Sequence, residues 1–339
     1  MKIKIIGCGS AGNHMAFAFK KIAKHITMTD TSDLVLLRSK NQIYKKRYKS
    51  WDKKIHLKNE AKDTNNYYDL IIISTPPISH SKLVKKNILK SDNFLIEKPL
   101  CAPNKKDVNF FKKIIKKFPN KNFYCGYNHR LFPSTIMLKN ILKFHKNQFD
   151  NISVNFKENN VGFLKAHHWM KTLDDSYLSN SKEGGGALCE HSHALNLAEF
   201  FIDNPKDLKI IDHTIKYSKN KFRKKFDTFV DIKFKAKNKL VQICQNFETY
   251  PTEKRIEIFS KNFFAELTYN YKNNDDKIFY YNYLTNKKKY FYFRKKRSDD
   301  FLNKIKLLKN KITKKIKKND KSIDMISSIN TMDLILKLI

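Results

Sequence analysis

A lysine at the end of a short apolar run is the first candidate for a catalytic residue. Lys98 lies in Phe-Leu-Ile-Glu-Lys-Pro-Leu at 94–100, where a run typical of a buried parallel strand meets Glu97 and Pro99. Ligands of an open α/β sheet bind at the carboxyl ends of its strands, so we expect Lys98 where a bound cofactor meets a substrate. Taken alone, Glu97 and Lys98 are equally consistent with a solvated ion pair at a strand end.

A histidine in a glycine-led segment is the second candidate. The segment reads Gly-Gly-Gly-Ala-Leu-Cys-Glu-His-Ser-His-Ala-Leu-Asn at 184–196, and its glycines allow a loop to lie close to a ligand. A helix is predicted from Leu188 onward, with Glu190 and His193 three positions apart, so the carboxylate can orient the imidazole for proton transfer. These residues and His191 resemble part of a metal site, but no third ligand has a standard spacing, and we expect no metal. The alternative is that the histidines only cap and pack the helix.

A glycine-rich turn near the N-terminus has the pattern of a dinucleotide-binding site. Gly7-Cys8-Gly9-Ser10-Ala11-Gly12 directly follows a predicted strand and opens a predicted helix. Glycines at these positions allow a tight turn, close approach of the backbone to a pyrophosphate, and close helix–strand packing. Asp30 ends the next predicted strand, where an acid binds the ribose hydroxyls of NAD, although a turn or cap role is the alternative. Arg38 and Lys40 lie nearby and could instead bind a 2′-phosphate, so NADP stays open.

The elements that must position these residues alternate between strands and helices up to about residue 130. The predicted strands are Lys2–Ile6, His25–Thr29, Lys54–Leu57, Leu70–Ser74, Phe94–Ile96 and Phe123–Tyr127. Helices are expected between them, including one over Leu34–Tyr48, one from His80 to about Lys90, and one capped by Asn104. This alternation predicts a doubly wound parallel sheet. Ser74, Thr75 and Pro76 leave that sheet at the same edge as the glycine-rich turn.

From about Asn151 the pattern changes to consecutive strands. They are predicted at Ile152–Glu158, Leu208–Tyr217, Thr228–Lys235, Leu240–Thr249, Arg255–Phe259, Phe264–Tyr269, Lys277–Leu284 and Lys289–Arg294. Few helices separate them, so a large, open, mostly antiparallel sheet is expected, with one face free for self-association. Helices are predicted at Asp299–Lys318 and Ser322–Ile339. We expect domains at 1–130 and 131–339, with the C-terminal helices able to pack back on the first.

Composition sets broader limits. The 339 residues suffice for about two domains. The formal charge of +37 comes mainly from lysines spread along the whole chain, and without a recognisable module it predicts no specific nucleic-acid partner. A general attraction to polyanions or to an anionic substrate stays open. No apolar run reaches the roughly 18 residues of a membrane span. Five scattered cysteines without a C-x-x-C pair favour reduced thiols and a cytoplasmic location.

Together these motifs resemble those of the Gfo/Idh/MocA family of NAD(P)-dependent oxidoreductases. The resemblance rests on the glycine-rich turn, on Thr75-Pro76-Pro77 with His80, on Glu97-Lys98-Pro99, and on the 184–196 segment, and it covers essentially the whole chain. It implies an N-terminal Rossmann-type domain and a C-terminal α+β domain, in a homodimer or homotetramer. The implied cofactor contacts are Gly7, Gly9, Ser10, Ala11, Gly12, Asp30, Ser74, Thr75, Pro76, His80, Glu97 and Lys98.

The resemblance also implies the catalytic residues. Lys98 would act near the nicotinamide, His193 would be the acid/base group, and Glu190 and Asn196 stand where family members carry acids. Asn196 lacks the charge, which changes the expected proton relay. The implied reaction is hydride transfer to or from a sugar, sugar derivative or polyol. A cofactor-binding sensor or scaffold without turnover is the alternative. The candidate substrate contacts, each with packing or a surface role as its alternative, are Asn128, Arg130, Trp169, Asp174, Tyr177 and Asn196.

Overall fold

The computed structural model describes residues 1–64, 67–202, 208–296, 299–313 and 323–339. The chain divides into two compact units. The first consists of Met1–Tyr127 and Phe301–Met332, and the second of Asn128–Asp300 and Asp333–Ile339. Each unit is therefore built from two stretches of the chain.

A six-stranded parallel sheet forms the core of the first unit. Its strands are β1 Lys2–Ile6, β2 His25–Asp30, β3 Ile55–Asn59, β4 Leu70–Ile73, β5 Asn93–Ile96 and β6 Asn122–Cys125. Their order in the sheet is β3-β2-β1-β4-β5-β6, the doubly wound order with its switch point between β1 and β4. The apolar side chains of β4 and β5 are fully buried, as a sheet covered on both faces requires. The predicted fold class of this half is confirmed.

The helices of the parallel sheet follow the expected alternation, with one difference. They are α1 Ser10–Phe19, α2 Asp33–Arg38, α3 Lys45–Tyr48, α4 His80–Asn87 and α5 Lys105–Lys117. The single helix expected over Leu34–Tyr48 is interrupted by a π-helical segment, Ser39–Tyr44. Ser39 is fully buried there, and its hydroxyl donates to Asn13 Oδ1 at 3.2 Å, so contact with α1 accompanies the wider turn. Asn104 caps α5 as predicted, accepting from the Asp107 N–H.

An eight-stranded, mostly antiparallel sheet forms the second unit. Its strands are β7 Asn151–Lys157, β8 Leu208–Lys219, β9 Lys225–Ala236, β10 Lys239–Asn246, β11 Glu253–Phe259, β12 Phe263–Lys272, β13 Asp275–Asn282 and β14 Lys287–Phe293. Their order is β14-β13-β12-β11-β7-β10-β9-β8, and β7 with β10 is the parallel pair. All eight predicted strands are present, with ends shifted by a few residues. The predicted fold class is confirmed here too.

The remaining helices include two that the sequence patterns did not single out. They are α6 Pro133–Phe144, α7 Asn160–Ala166, α8 Ala187–Glu190, α9 His193–Phe201, α10 Asp299–Thr313 and α11 Met325–Leu338. The unexpected ones are α6 and α7; α6 packs on β12 and β13, while α9 packs on β7 and β10. Several large apolar side chains of the antiparallel sheet stay exposed, among them Phe259, Tyr290 and Tyr292. The predicted ends of α10 and α11 at 314–318 and at Ser322 lie outside the described residues.

No helix in the described part of the chain is both long and apolar enough to cross a membrane.

Candidate functional site

The first and third glycines of the glycine-rich turn are required by the protein's own packing. Gly7 has a φ of +101°, and a Cβ there would lie 2.7 Å from the Ser74 carbonyl oxygen. A Cβ at Gly12 would lie 2.0 Å from the Gly7 carbonyl oxygen. The Ser74 hydroxyl donates to the carbonyls of Ile6 and Gly7, both at 3.0 Å. These contacts hold the end of β1, the start of α1 and the end of β4 together.

The middle glycine is different, because no contact inside the protein requires it. A Cβ at Gly9 would meet no atom within 4 Å, and its backbone is extended at φ −77°. Gly9 precedes α1, whose first turn has no acidic residue and no side-chain cap. The N–H groups of a helix start attract phosphate, and the missing side chain leaves space in front of them. The turn therefore has the geometry that fits a dinucleotide pyrophosphate.

Asp30 lies at the end of β2, beside this turn. One of its carboxylate oxygens accepts from the Cys8 N–H at 3.1 Å, and the other accepts from the Ser32 N–H at 3.3 Å. These bonds fix the carboxylate next to the glycine-rich turn, which is where a ribose-binding acid is needed. Arg47 is a nearby cation that the sequence patterns did not single out, and it donates to the Ser10 carbonyl at 3.3 Å.

His80 is an internal link between two loops at the carboxyl edge of the sheet. Its ring is fully buried, with Nε2 2.8 Å from the Thr75 carbonyl oxygen and Nδ1 3.1 Å from the Leu100 carbonyl oxygen. Burial lowers the pKa of His80, which favours the neutral ring at pH 7, and a neutral ring donates to only one of these two carbonyls. This geometry supports a role in holding the loops after β4 and β5, rather than direct contact with a cofactor.

The segment after β5 holds a buried acid and a half-buried lysine. Glu97 is 9% exposed and accepts from Lys304 Nζ of α10 at 2.9 Å, so it is not part of a solvated pair. Gly126 packs against the same carboxylate, since an added Cβ would lie 2.6 Å from Glu97 Oε2. The neighbouring Lys98 is half-buried, and the Lys98–Pro99 peptide bond is cis. The structure thus places Lys98 at the carboxyl edge of the parallel sheet, as expected.

The reason for the three consecutive glycines at 184–186 differs from the one that the sequence suggested. A Cβ at Gly185 would lie 2.1 Å from the Tyr177 carbonyl oxygen, and one at Gly186 would lie 2.0 Å from Asp227 Oδ1. Close packing inside the second unit therefore requires these glycines, and proximity to a ligand is not needed to explain them. Asp227 is buried, which raises its pKa, and it accepts from the Leu188 N–H at 2.6 Å and the Ser181 hydroxyl at 2.9 Å. Asp227 is thus the anchor of the segment that leads to α8.

The prediction that a single helix carries both Glu190 and His193 is wrong. Glu190 ends α8, the chain leaves helical geometry at His191, and His193 begins α9. Two backbone hydrogen bonds mark the start of α9. The Ala194 N–H donates to the His191 carbonyl, and the Asn196 N–H donates to the Ser192 carbonyl. The two side chains therefore do not share a helical face.

His193 is largely buried and lies against a second histidine. Its ring centroid is 4.2 Å from that of His129, which also contacts Phe132, Phe156 and Tyr269. His129 follows β6 in the sequence, and the sequence patterns did not single it out. Only its position next to Asn128 and Arg130 could have drawn attention to it.

Three of the candidate substrate residues have contacts within the second unit. The Arg130 guanidinium is buried, donates to the Asn196 carbonyl and lies 3.7 Å from Glu199 Oε2. The Asn128 amide donates to the Asp300 carbonyl at 3.1 Å. The Arg130 contacts connect the segment after β6 to α9, so Arg130 supports the helix that begins at His193.

The other three candidates are partly exposed. Trp169 packs edge-on against the neighbouring His167 and His168, while Asp174 accepts from the Lys221 N–H at 3.0 Å. Tyr177 is half-buried just before the glycine segment. These side chains keep surface that a ligand could reach. Among the described residues, no group of three histidines, cysteines or acids is arranged to hold a metal ion.

No protein-family model matches the sequence, and no curated protein matches it. Solved structures match over nearly the whole chain. KijD10, a 3-ketoreductase from Actinomadura kijaniata in complex with NADP and TDP-benzene, has a TM-score of 0.75 at 11% identity, covering 99% of this chain and 95% of its own. A dehydrogenase (MviM) from Clostridium difficile gives 0.70 at 16% identity, covering 100% and 98%. GenD2 from gentamicin A biosynthesis, in complex with NAD, gives 0.71 at 11%, covering 98% and 91%. At such identities the likeness shows that this chain has the fold of these proteins.

Proposed function

We propose that this protein is an NAD(P)-dependent oxidoreductase of the Gfo/Idh/MocA family, acting on a hydroxyl or carbonyl carbon of a sugar, sugar derivative or polyol. The observation that carries the proposal is the glycine-rich turn, in which Gly7 and Gly12 are needed by packing and Gly9 is left open. Because the protein's own packing does not require the middle glycine, Gly9, its presence supports a role in letting a dinucleotide approach the turn. The bound NADP and NAD of KijD10 and GenD2 agree with this proposal.

The chain's own residues fit the adenosine half of such a cofactor. The N–H groups at the start of α1 would bind the pyrophosphate, and Asp30 would accept from the ribose hydroxyls. Because a 2′-phosphate would face the Asp30 carboxylate, we propose a preference for NAD over NADP. Ser74, Thr75, Pro76 and Glu97 border the same sheet edge. Nicotinamide, when bound, supplies or accepts the hydride.

Lys98 and His193 are the proposed catalytic pair. The Lys98 ammonium would stabilise the negative charge that develops on the substrate oxygen, which makes the hydroxyl proton easier to remove. The His193 imidazole would accept or return that proton, oriented by its packing against His129. We propose Glu190, at the end of the preceding helix, as a further acid of the site. We propose Trp169, Asp174 and Tyr177 as substrate contacts, since an aromatic face suits a sugar ring. The substrate class agrees with the TDP ligand and ketoreductase description of KijD10.

The test begins with a screen of sugars and nucleotide sugars for reduction of NAD or oxidation of NADH. With a substrate in hand, Lys98→Met and His193→Ala should each lower kcat by about 10²–10⁴-fold while cofactor affinity stays nearly unchanged. Residues that act as a unit are non-additive, so the double variant should be little worse than the worse single variant. His213→Ala, at an exposed histidine of β8, is the matched control.

Two outcomes would contradict parts of the proposal. If His193→Ala keeps full activity on a turned-over substrate, the histidine has a structural role. If the wild type binds NADH but turns over no substrate in the screen, the protein is better described as a cofactor-binding sensor or scaffold.

A further inference from the structure

We infer that Lys304 of α10 is a positioning residue for Glu97 and Lys98: it holds the Glu97 carboxylate and thereby sets the charge around the Lys98 ammonium. This inference rests on the proposed function, because it concerns the surroundings of the proposed catalytic lysine. It adds to the site a residue that lies far away in the sequence and in none of the motifs.

The geometry leaves the Glu97 carboxylate little freedom. Lys304 Nζ lies 2.9 Å from Glu97 Oε1, and the two side chains are 1% and 12% exposed. On its other side the carboxylate is packed against the backbone of Gly126. The ion pair and the close glycine contact together fix the residue that immediately precedes Lys98.

The buried negative charge of Glu97 needs a positively charged partner. The ionisation of the neighbouring groups shows which residue provides that charge. His80 and Cys125 also face Glu97, from α4 and β6. Burial lowers the pKa of His80 and raises the pKa of Cys125 to about 12, so both are neutral at pH 7. A buried carboxylate without a cation is strongly destabilised. Lys304 therefore balances Glu97 from α10.

The consequence for Lys98 follows from Coulomb's law. Adjacent residues have Cα atoms about 3.8 Å apart, so even with both side chains extended away from each other their charges lie within roughly 15 Å. At an effective dielectric constant of about 20, one uncompensated charge at that distance shifts a proton equilibrium by about one pH unit. Without Lys304, the negative charge of Glu97 should make Lys98 hold its proton more tightly. Without the carboxylate, the buried Lys304 ammonium should do the reverse.

Competitive labelling with acetic anhydride, read lysine by lysine in a mass spectrometer over a range of pH, tests this directly. The pH of half-maximal Lys98 labelling should rise by about one unit in Lys304→Met and fall by a similar amount in Glu97→Gln. Lys306→Met is the matched control, since Lys306 lies on the same helix and is exposed. That variant should leave the Lys98 curve where the wild type has it.

A double variant keeps the test sharp if Lys304→Met alone does not fold. Lys304→Met with Glu97→Gln removes both buried charges, which is tolerated better than removing one. Its Lys98 curve should return close to the wild type. Curves for Glu97→Gln and the wild type that superimpose would overturn the inference. Labelling needs neither substrate nor cofactor, so absent NADH binding would refute the proposed function and leave this result standing.

Discussion

Replacing Gly9 with valine should abolish cofactor binding while leaving the fold intact. The structure gives the magnitude for stability: an added Cβ meets nothing within 4 Å and the backbone is extended, so the unfolding free energy should change by no more than about 0.5 kcal/mol. The valine side chain would occupy the space in front of the α1 N–H groups. Loss of two charge-assisted hydrogen bonds at about 1.5–3 kcal/mol each predicts a Kd for NADH raised by about 10²–10⁴-fold.

The assay is a titration of NADH fluorescence, paired with urea unfolding of each variant. Gly12→Val is the contrasting variant, because its Cβ would lie 2.0 Å from a backbone oxygen, and it should lower the unfolding free energy strongly. Equal NADH affinity in Gly9→Val and the wild type would refute the reasoning. A Gly9→Val protein with an unfolding free energy as low as that of Gly12→Val would also refute it, because a side chain at position 9 would then clash with the protein.

Three further predictions concern specificity, pH and assembly. Asp30→Ala should narrow the preference for NAD over NADP by removing the charge that faces a 2′-phosphate; a wild type that binds NADP more tightly would instead implicate Arg38 or Lys40. The lowered pKa of buried His80 means that the unfolded chain binds more protons below about pH 6.5, so stability should fall as pH falls through that value. Urea unfolding at pH 8 and pH 5.5 should show a smaller loss for His80→Gln than for the wild type, and equal losses would exclude this effect. Sedimentation should show at least a dimer at micromolar concentration, with Tyr290→Lys plus Tyr292→Lys favouring the monomer if the exposed sheet face is the interface; a wild-type monomer would contradict this.

The strands were predictable because each has a local signal. Buried apolar runs such as Leu70–Ile73 and aromatic-rich segments such as Lys287–Phe293 are typical of strands and are bounded by polar turns. The break between α8 and α9 has no such signal. It accompanies the anchoring of the preceding glycines by Asp227, a residue of another strand. Local periodicity therefore predicted helix correctly in this segment, but it predicted one continuous helix where the structure has two.

The candidate site shows the same division. The motifs around Gly9, Asp30 and Lys98 could be found from the sequence, because each is a short pattern tied to the end of one strand. Lys304 and His129 could not, since their importance comes from contacts with Glu97 and His193 that only the folded chain creates. Arg130 was singled out as a substrate contact, which stays a prediction; its described contacts are with α9.

The return of the C-terminal segment to the first unit has a consequence for synthesis of the chain. The Cys125 N–H donates to the Ile323 carbonyl at 3.0 Å, and Tyr124 forms an antiparallel bridge with Asp324. Because a ribosome releases the chain from its N-terminus onward, β6 emerges long before these partners do. While the whole antiparallel sheet is translated, β6 therefore lacks its partners Ile323 and Asp324, and the Glu97 carboxylate lacks Lys304. A nascent chain stalled before Phe301 should accordingly depend more on chaperones than the released protein does.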